Sequence, residues 1–562
     1  MQNPVLDAKN QLNELILSAL GRAVSNGTLS AEPIPPFAIE IPGDTKNGDL
    51  ATNVAMVSAK AFKLPPRKIA EAIVGEVILD GSYFEKVEIA GPGFINFFLN
   101  RNWFSSVVTS VHQHKENYGR TDFGAGKKVM VEFVSANPTG PMHIGNARGG
   151  AIGDCLASVL DWSGYDVTRE FYVNDAGNQI NKFAISLEAR YLQIYLDNIE
   201  IPEDAYQGED ITIHAKEFSK INGDKFVATT SEERRKALVE YALPLNIKGL
   251  EDDLAKYRIV YDNWFLESTL HNNGEVDKVI ELLKSKGHTY ESEGALWFNA
   301  TKFGADKDFV LLRSNGVPTY VVPDIAYHYN KLVTRGFDKA IDVLGADHHG
   351  YIPRLKAAME ALEIDPNRLD AILMQMVRLI KGNEIIKASK RSGKSITLVT
   401  LLEEVPIDAA RFHFNLREAN SQMDFDLDLA VEESSQNPVY YVQYAHARIC
   451  SILRNLETEK ILPKEYTDCD LSLLNTNEEI ELIRHLSILP NEIVECAKAY
   501  DPARVTRYCV ELATLFHKFY SACRVKCDDV ELMYARLCLC IAVKTALNNV
   551  LTLLKITAPT AM

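Results

Sequence analysis

Cysteine is scarce over most of the chain: of nine in 562 residues, eight fall between Cys450 and Cys540, the ninth is Cys155, and none forms a Cys-x-x-Cys. That spacing argues against a zinc ribbon or a disulfide framework and for reduced thiols in a core. No run approaches the ~18 uninterrupted apolar residues of a membrane span. The first twenty residues mix Asp7, Lys9, Asn10 and Glu14 into their apolar positions, as an amphipathic helix does and a secretory segment does not, so a cytoplasmic protein is expected. Positive charge is short too: 60 Lys+Arg against 76 Asp+Glu give a net charge of −16. General coating of nucleic acid is disfavoured, but phosphates answer to local charge, so a basic patch stays open.

What is present is an ordinary globular composition, 46% hydrophobic and 24% charged, too long for one core. Residues 1–115 read as a small α+β domain, opening with a helix and closing with Lys86-Val-Glu-Ile-Ala90 and Phe94-Ile-Asn-Phe-Phe-Leu99 around Gly91-Pro-Gly93. Residues 116–405 read as an α/β domain with a parallel, nucleotide-binding sheet. The apolar run Lys128–Val134, a turn at Asn137-Pro-Thr-Gly-Pro141, a helix from about Ala147 to Trp162 and the strand Asp166–Val173 make a βαβ unit. An acidic stretch at about 205–304 lacks strand rhythm and reads as an insertion. The sheet is expected to resume with Asp308–Arg313 and Ala340–Leu344, the latter followed by Gly345-Ala-Asp-His-His-Gly350 and a helix, Arg354–Leu362. Residues 406–562 show helical spacing almost throughout and read as an all-α bundle.

Two segments carry chemistry. The first is Asn137-Pro-Thr-Gly-Pro-Met-His143-Ile-Gly145-Asn146-Ala-Arg148-Gly149-Gly150, between the first strand and its helix. Small residues let a phosphate approach the backbone, the helix start supplies free N–H donors, and imidazole adds another. Alone, the same residues could serve tight packing, with His143 merely starting a helix. The second is Lys381 to Ser395. From Arg378 to Lys394 six basic residues face the single acid Glu384, a local net of +5. Such a loop suits charge neutralisation over a polyphosphate, or equally a solvated basic loop.

Together, a His-x-Gly-x turn early in a nucleotide-type sheet and a Lys-x-Ser-Lys loop before an all-α domain resemble the two signatures of class I aminoacyl-tRNA synthetases. The chain is similar to the arginyl-tRNA synthetase family in Val131–Gly140, Asn174-Asp-Ala-Gly-Asn-Gln179, Gly345–Gly350, Tyr440–Arg448, Gly48–Asn53 and Ala558–Met562. The resemblance implies ATP-dependent attachment of arginine to its tRNA through an arginyl adenylate, with Mg²⁺ entering as the ATP complex and no structural metal. It implies ATP contacts at Pro138, Gly140, His143, Gly145, Asn146, Gly345, Asp347, His348 and Lys390, with His143, Asn146, Lys387 and Lys390 catalytic. It also implies that Glu132, Tyr320 and Asp324 face the guanidinium and that Asn137 holds the α-amino group. The bundle becomes an anticodon-binding domain, with Tyr440, Tyr444 and Arg448 as tRNA contacts, the N-terminal domain touches the corner of the tRNA, and a monomer is expected. Two positions depart from the family pattern: Asn146 stands where a second histidine is usual, and Ala388 where a methionine is usual.

The guanidinium assignment has its own logic, since five fixed donors and no acceptor call for carboxylates. Either acid could instead be held by a structural arginine. Adjacent His348 and His349 do not read as a metal site, with no further ligand to complete a set. A small-molecule nucleotidyltransferase would share the phosphate chemistry but has no use for the helical bundle. A non-catalytic RNA-binding descendant would show more erosion than Asn146 and Ala388.

Overall fold

The computed structural model describes residues 3–203, 205–382, 384–386 and 396–562. At its centre, β1 (Lys128–Phe133), β2 (Asp166–Val173), β3 (Asn263–Leu266), β4 (Lys339–Gly345) and β5 (Leu369–Met374) form one parallel sheet in the order β5-β4-β1-β2-β3. Val129, Met130, Val131 and Phe133 are all buried, as a parallel strand covered on both faces requires. Because the chain leaves β1 toward β2 and later returns to β1's other side as β4, strand order reverses between β1 and β4. That reversal opens a crevice beyond the carboxyl ends of the strands, where such sheets bind ligands.

Helix α1 (Ile144–Trp162) lies close on this sheet because its facing residues are glycines. A Cβ at Gly153 would stand 2.3 Å from the Phe133 ring, and one at Gly150 would stand 2.7 Å from Ile259. Buried Arg148 reaches from the same helix to the carbonyls of Gln375 (2.8 Å), Glu418 (2.9 Å) and Ser421 (3.1 Å). Burial lowers its pKa to about 10.

Three helices follow β2: α2 (Gly177–Leu192), α3 (Glu209–Asn222) and α4 (Ser231–Lys256). They have a core of their own, with Phe183, Leu187, Tyr191, Ile211, Phe218 and Leu238. The chain then re-enters the central sheet as β3, with Trp264 stacked on Phe171 at 4.3 Å. A stretch without strands up to residue 304 was the expectation; Asn263–Leu266 is a four-residue edge strand, too short to show a period. Phe309–Leu312, expected in the parallel sheet, pairs antiparallel with Ala295–Phe298 in a separate three-stranded sheet. Helix α5 (Val321–Tyr329) and the π turn Asn330–Thr334 lead back to β4.

The N-terminal domain has a four-stranded antiparallel sheet beside the helix Pro4–Ser25. The C-terminal bundle is built on α6 (Pro438–Thr458) and four later helices, from Asn477 to Leu553. The two are joined by Arg484 and Asp49 at 2.6 Å. Beyond Leu553 the chain runs back as a strap. The Leu554 carbonyl accepts from Arg411 (2.8 Å), that of Lys555 from Arg258 (2.8 Å) and that of Thr560 from Arg454 (2.7 Å), while Asp408 accepts from Thr557.

Gly153→Ala is expected to lower stability by roughly 1–3 kcal/mol, since the new methyl meets an aromatic ring rather than the end of a flexible chain. Urea unfolding of the full chain reads this as a lower midpoint; an unchanged midpoint would mean that Phe133 can swing aside.

Candidate functional site

After β1 the backbone turns sharply, with Val134 at φ 71° and Ser135 at φ 42°. Two successive left-handed residues, one of them β-branched, are costly and persist only where surroundings fix them. Here the Ser135 hydroxyl donates to Glu132 Oε1 at 2.9 Å and accepts from the Tyr172 N–H at 3.1 Å, while the Tyr261 hydroxyl donates to the Phe133 carbonyl at 2.9 Å. The turn delivers buried Pro138, exposed Asn137 and exposed His143 to the start of α1. Asn146 serves the helix start locally, because its Oδ1 accepts the His143 N–H at 3.0 Å, which closes the first turn and leaves the amide hydrogens for a ligand. Gly145 is open, with nothing within 4 Å of where a Cβ would be.

Lys387, Ala388 and Lys390 lie outside the described residues. Their described flank, however, meets the first signature directly: the Ile144 N–H donates to the Ile396 carbonyl at 3.2 Å, and the Leu398 N–H to the Met142 carbonyl at 2.9 Å. Across the crevice, Gly345 ends β4, and the turn Ala346–His348 presents Asp347 and His348 with their side chains largely exposed, 3.8 Å apart. Of the residues expected around ATP, those among the described residues therefore lie at the carboxyl ends of β1 and β4.

A second cavity, about 950 Å³, opens at the carboxyl ends of β2 and β3. Tyr172, Gln179, Glu267, His271, Tyr320 and Asp324 are among its lining. Tyr320, mostly exposed, stacks on Tyr351 at 6.3 Å, and the Tyr351 hydroxyl donates to Asp324 Oδ2. Burial raises the Asp324 carboxyl to about 6, against the lowering effects of Tyr351 and His328. Glu267 is buried; Asn174 donates to its Oε2 at 3.2 Å and His271 stands 3.5 Å away. The buried Tyr172 hydroxyl lies against the Glu267 carboxylate, and burial, then Glu267 and Asp324, push its pKa up. Two acids on which no described lysine or arginine sits, beside a buried hydroxyl, make a site for a cation with several donors.

Glu132 was expected among these acids; it does not line the cavity, although it lies near enough for its charge to act on Tyr172 and Asp324. Its Oε2 lies 2.5 Å from Lys331 Nζ and its other oxygen is taken by Ser135, so both acceptors have partners within the protein. Glu267 is the acid that the sequence did not reveal: it starts a six-residue helix, Glu267–Asn272, inside what read as an insertion. Asp175 accepts from the N–H (2.8 Å) and hydroxyl (2.6 Å) of Ser268 and so holds that helix start, while Gln179 accepts from Tyr206.

In the bundle, Tyr440, Tyr444 and Arg448 do share one face of α6. The tyrosine rings stack at 6.3 Å with an 8° interplanar angle, and the Arg448 guanidinium lies 4.7 Å from Tyr444 and 5.1 Å from Tyr520. With Ser435, Tyr441 and His517 they line a cavity of about 430 Å³. His517, not anticipated, stacks on Tyr444 at 5.9 Å; its Nε2 is buried without a partner among the described residues, and burial and then Arg448 lower its pKa.

Comparison with known proteins gives a consistent outcome over the whole chain. Residues 10–99 match the arginyl tRNA synthetase N-terminal domain, residues 107–452 the catalytic domain of class I (R) tRNA synthetases, and residues 442–562 the DALR anticodon binding domain. The chain is 56% identical over 562 residues to the arginine–tRNA ligase of Caldanaerobacter subterraneus subsp. tengcongensis, covering 100% of both chains. It is 52% identical over 564 residues to that of Acetivibrio thermocellus, again covering 100% of both. The structure of Thermus thermophilus arginyl-tRNA synthetase superposes with a TM-score of 0.75 at 21% identity, over 97% of this chain and 99% of that one.

Tyr351→Phe removes the hydrogen bond that favours ionised Asp324, so the Asp324 carboxyl is expected to titrate above its value of about 6. Infrared titration of the carboxyl band, with Asp324→Asn to identify it, checks this; a value equal to or below that of the parent protein contradicts it.

Proposed function

The chain belongs to the arginyl-tRNA synthetase family, and from that membership we infer how its residues carry out the ATP-dependent attachment of arginine to tRNA. The reaction forms arginyl adenylate with loss of pyrophosphate, then transfers the arginyl group to the tRNA with loss of AMP. The observation that carries the residue assignment is the uncompensated acid pair Glu267 and Asp324 in a cavity beside the nucleotide crevice.

The guanidinium is assigned to Asp324 and Glu267, with Tyr320 against its plane, because a planar cation with five donors is matched by two carboxylates and an aromatic face. Glu132 becomes the counter-charge of Lys331, and Asn137 the holder of the α-amino group. ATP is assigned to the crevice between the β1 turn and the β4 turn: Pro138, Gly140 and Gly145 give backbone room, and Gly345, Asp347 and His348 border the nucleoside. His143, Asn146, Lys387 and Lys390 supply donors to the α-phosphate and the departing pyrophosphate. Catalysis is then placement of the arginine carboxylate in line with the α-phosphate plus fixed positive groups around it, with no enzyme nucleophile. Mg²⁺ arrives as the ATP complex, held by phosphate oxygens and water.

We assign residues 1–115 to the corner of the tRNA, 116–405 to chemistry and 406–562 to the anticodon. The Tyr440, Tyr444, Arg448 and His517 cluster is proposed as the pocket for an unstacked anticodon base: parallel rings offer stacking, and the unpartnered imidazole nitrogen offers a hydrogen bond. A monomer acting in the cytoplasm is proposed, in line with buried thiols. No described helix is long and apolar enough to cross a membrane.

Aminoacylation with arginine, ATP and tRNA tests the assignment. Glu267→Gln and Asp324→Asn are each expected to raise the KM for arginine on the order of 10²-fold, as loss of one partner of a desolvated charge pair does, with KM for ATP changed by less than threefold. An arginine KM that stays put in both removes these acids from the pocket.

The pH dependence has a definite sign. Arginine pairs with the ionised form of Asp324, so affinity is full above a pH of about 6 and falls roughly tenfold per unit below it. Arginine binding that is flat from pH 7.5 to 5 contradicts this.

A further inference from the structure

The three-helix insertion α2–α4 has its own core, yet it touches the nucleotide turn at a specific place. The Asn246 side-chain amide, on α4, donates to the Pro138 carbonyl at 3.0 Å. Asn246 is itself oriented from α3: His214 Nε2 lies 2.7 Å from Asn246 Oδ1, which makes that nitrogen the donor and leaves the Asn246 amide facing the turn. A second approach lies two residues along, where a Cβ at Gly140 would come 3.7 Å from the Asp210 carboxylate of α3. The contacts fall on the turn that opens with Val134 and Ser135 at positive φ, which relaxes unless its neighbours hold it.

We propose that Asn246 is a positioning residue for ATP, through which the insertion holds the strained turn from outside. The central sheet secures the turn's first residues through Tyr261 and Ser135; Asn246 secures Pro138, past the strained pair and ahead of His143. His214 acts one step further out by fixing which end of the Asn246 amide faces the carbonyl. The insertion thereby acquires a role in the activation step beyond any contact with tRNA. The guanidinium of arginine, seated at the ends of β2 and β3, is held by residues that this hydrogen bond does not reach; only the α-amino contact at Asn137 shares the turn, so the effect on arginine is the smaller one.

The inference rests on the reading of residues 134–146 as the nucleotide turn, and the experiment separates the two. ATP–pyrophosphate exchange is measured on the full chain with tRNA present, varying ATP and arginine in turn. Asn246→Ala is expected to raise the KM for ATP about fivefold, the worth of one hydrogen bond, with the arginine KM within twofold. Asn246→Asp, nearly isosteric but without the donor, is expected to match it, and His214→Ala to shift the ATP KM the same way by less. An unchanged ATP KM in Asn246→Ala, or ATP and arginine KM rising together, overturns the proposal. His143→Ala serves as the reference. If it impairs exchange while Asn246→Ala does not, only the positioning role falls; if it changes nothing, the nucleotide-turn reading falls, and the proposal with it.

Discussion

The Lys331 ammonium, fully buried between Glu132 at 2.5 Å and Asp342 at 2.9 Å, is the interaction on which the site's architecture depends. Glu132 on β1 and Asp342 on β4 are register partners in adjacent strands, so two carboxylates stand side by side in the sheet interior. Without a cation between them such a pair opposes folding. Lys331 supplies the cation from the π turn beyond α5, and His328 Nε2 adds a contact of 2.7 Å to the second oxygen of Asp342. Burial works against every ionised member. Even so, Lys331 and His328 hold Asp342 well below the usual carboxylate range, and Asp342 and Glu132 hold Lys331 above its usual value. The same cluster anchors α5, which carries Asp324 in its first turn and Tyr320 at its start. The charge balance of the sheet interior and the geometry of the substrate cavity are therefore one problem with one solution.

The cluster also sorts the acids by role. Glu132 and Asp342 share the Lys331 ammonium; Glu267 and Asp324 have no described lysine or arginine on them, and they face the cavity. On the assignment proposed above, a substrate cation would meet these carboxylates, while phosphates would meet N–H groups at the start of α1. On that assignment, potentials of opposite sign would draw the two substrates to neighbouring strand ends, bringing the arginine carboxylate toward the α-phosphate without either having to cross the other's site.

Much of this was legible in the sequence where period and length were strong. The strand Asp166–Val173 was read with the bounds it has in the structure, and α1 differs by three residues at its start, where the turn residues merge into the helix. Tyr440, Tyr444 and Arg448 could be grouped because a four-residue spacing places side chains on one helix face. Illegible features depended on distance along the chain or on brevity. Asn263–Leu266 is four residues at a sheet edge, and Phe309–Leu312 has the composition of a buried strand without indicating which sheet it joins. Lys331 pairs with an acid 199 positions away, and a lone lysine after an apolar helix reads as solvent-exposed. The family resemblance placed Glu132 near the substrate, but only the fold shows the ammonium already lying against it.

The strap formed by residues 554–562 has a consequence for the order of biosynthesis. Arg411 is fully buried and Arg258 partly so, and each needs a carbonyl from the strap, while Asp408 accepts from a threonine 149 residues further on. A chain emerging residue by residue exposes the catalytic sheet long before these acceptors exist. Through that interval the guanidinium of Arg411 has Asp154 and the Tyr257 carbonyl but lacks its third contact. A chain lacking residues 554–562 therefore leaves Arg411 without its third contact, so the loss reaches the catalytic unit as well as the anticodon bundle.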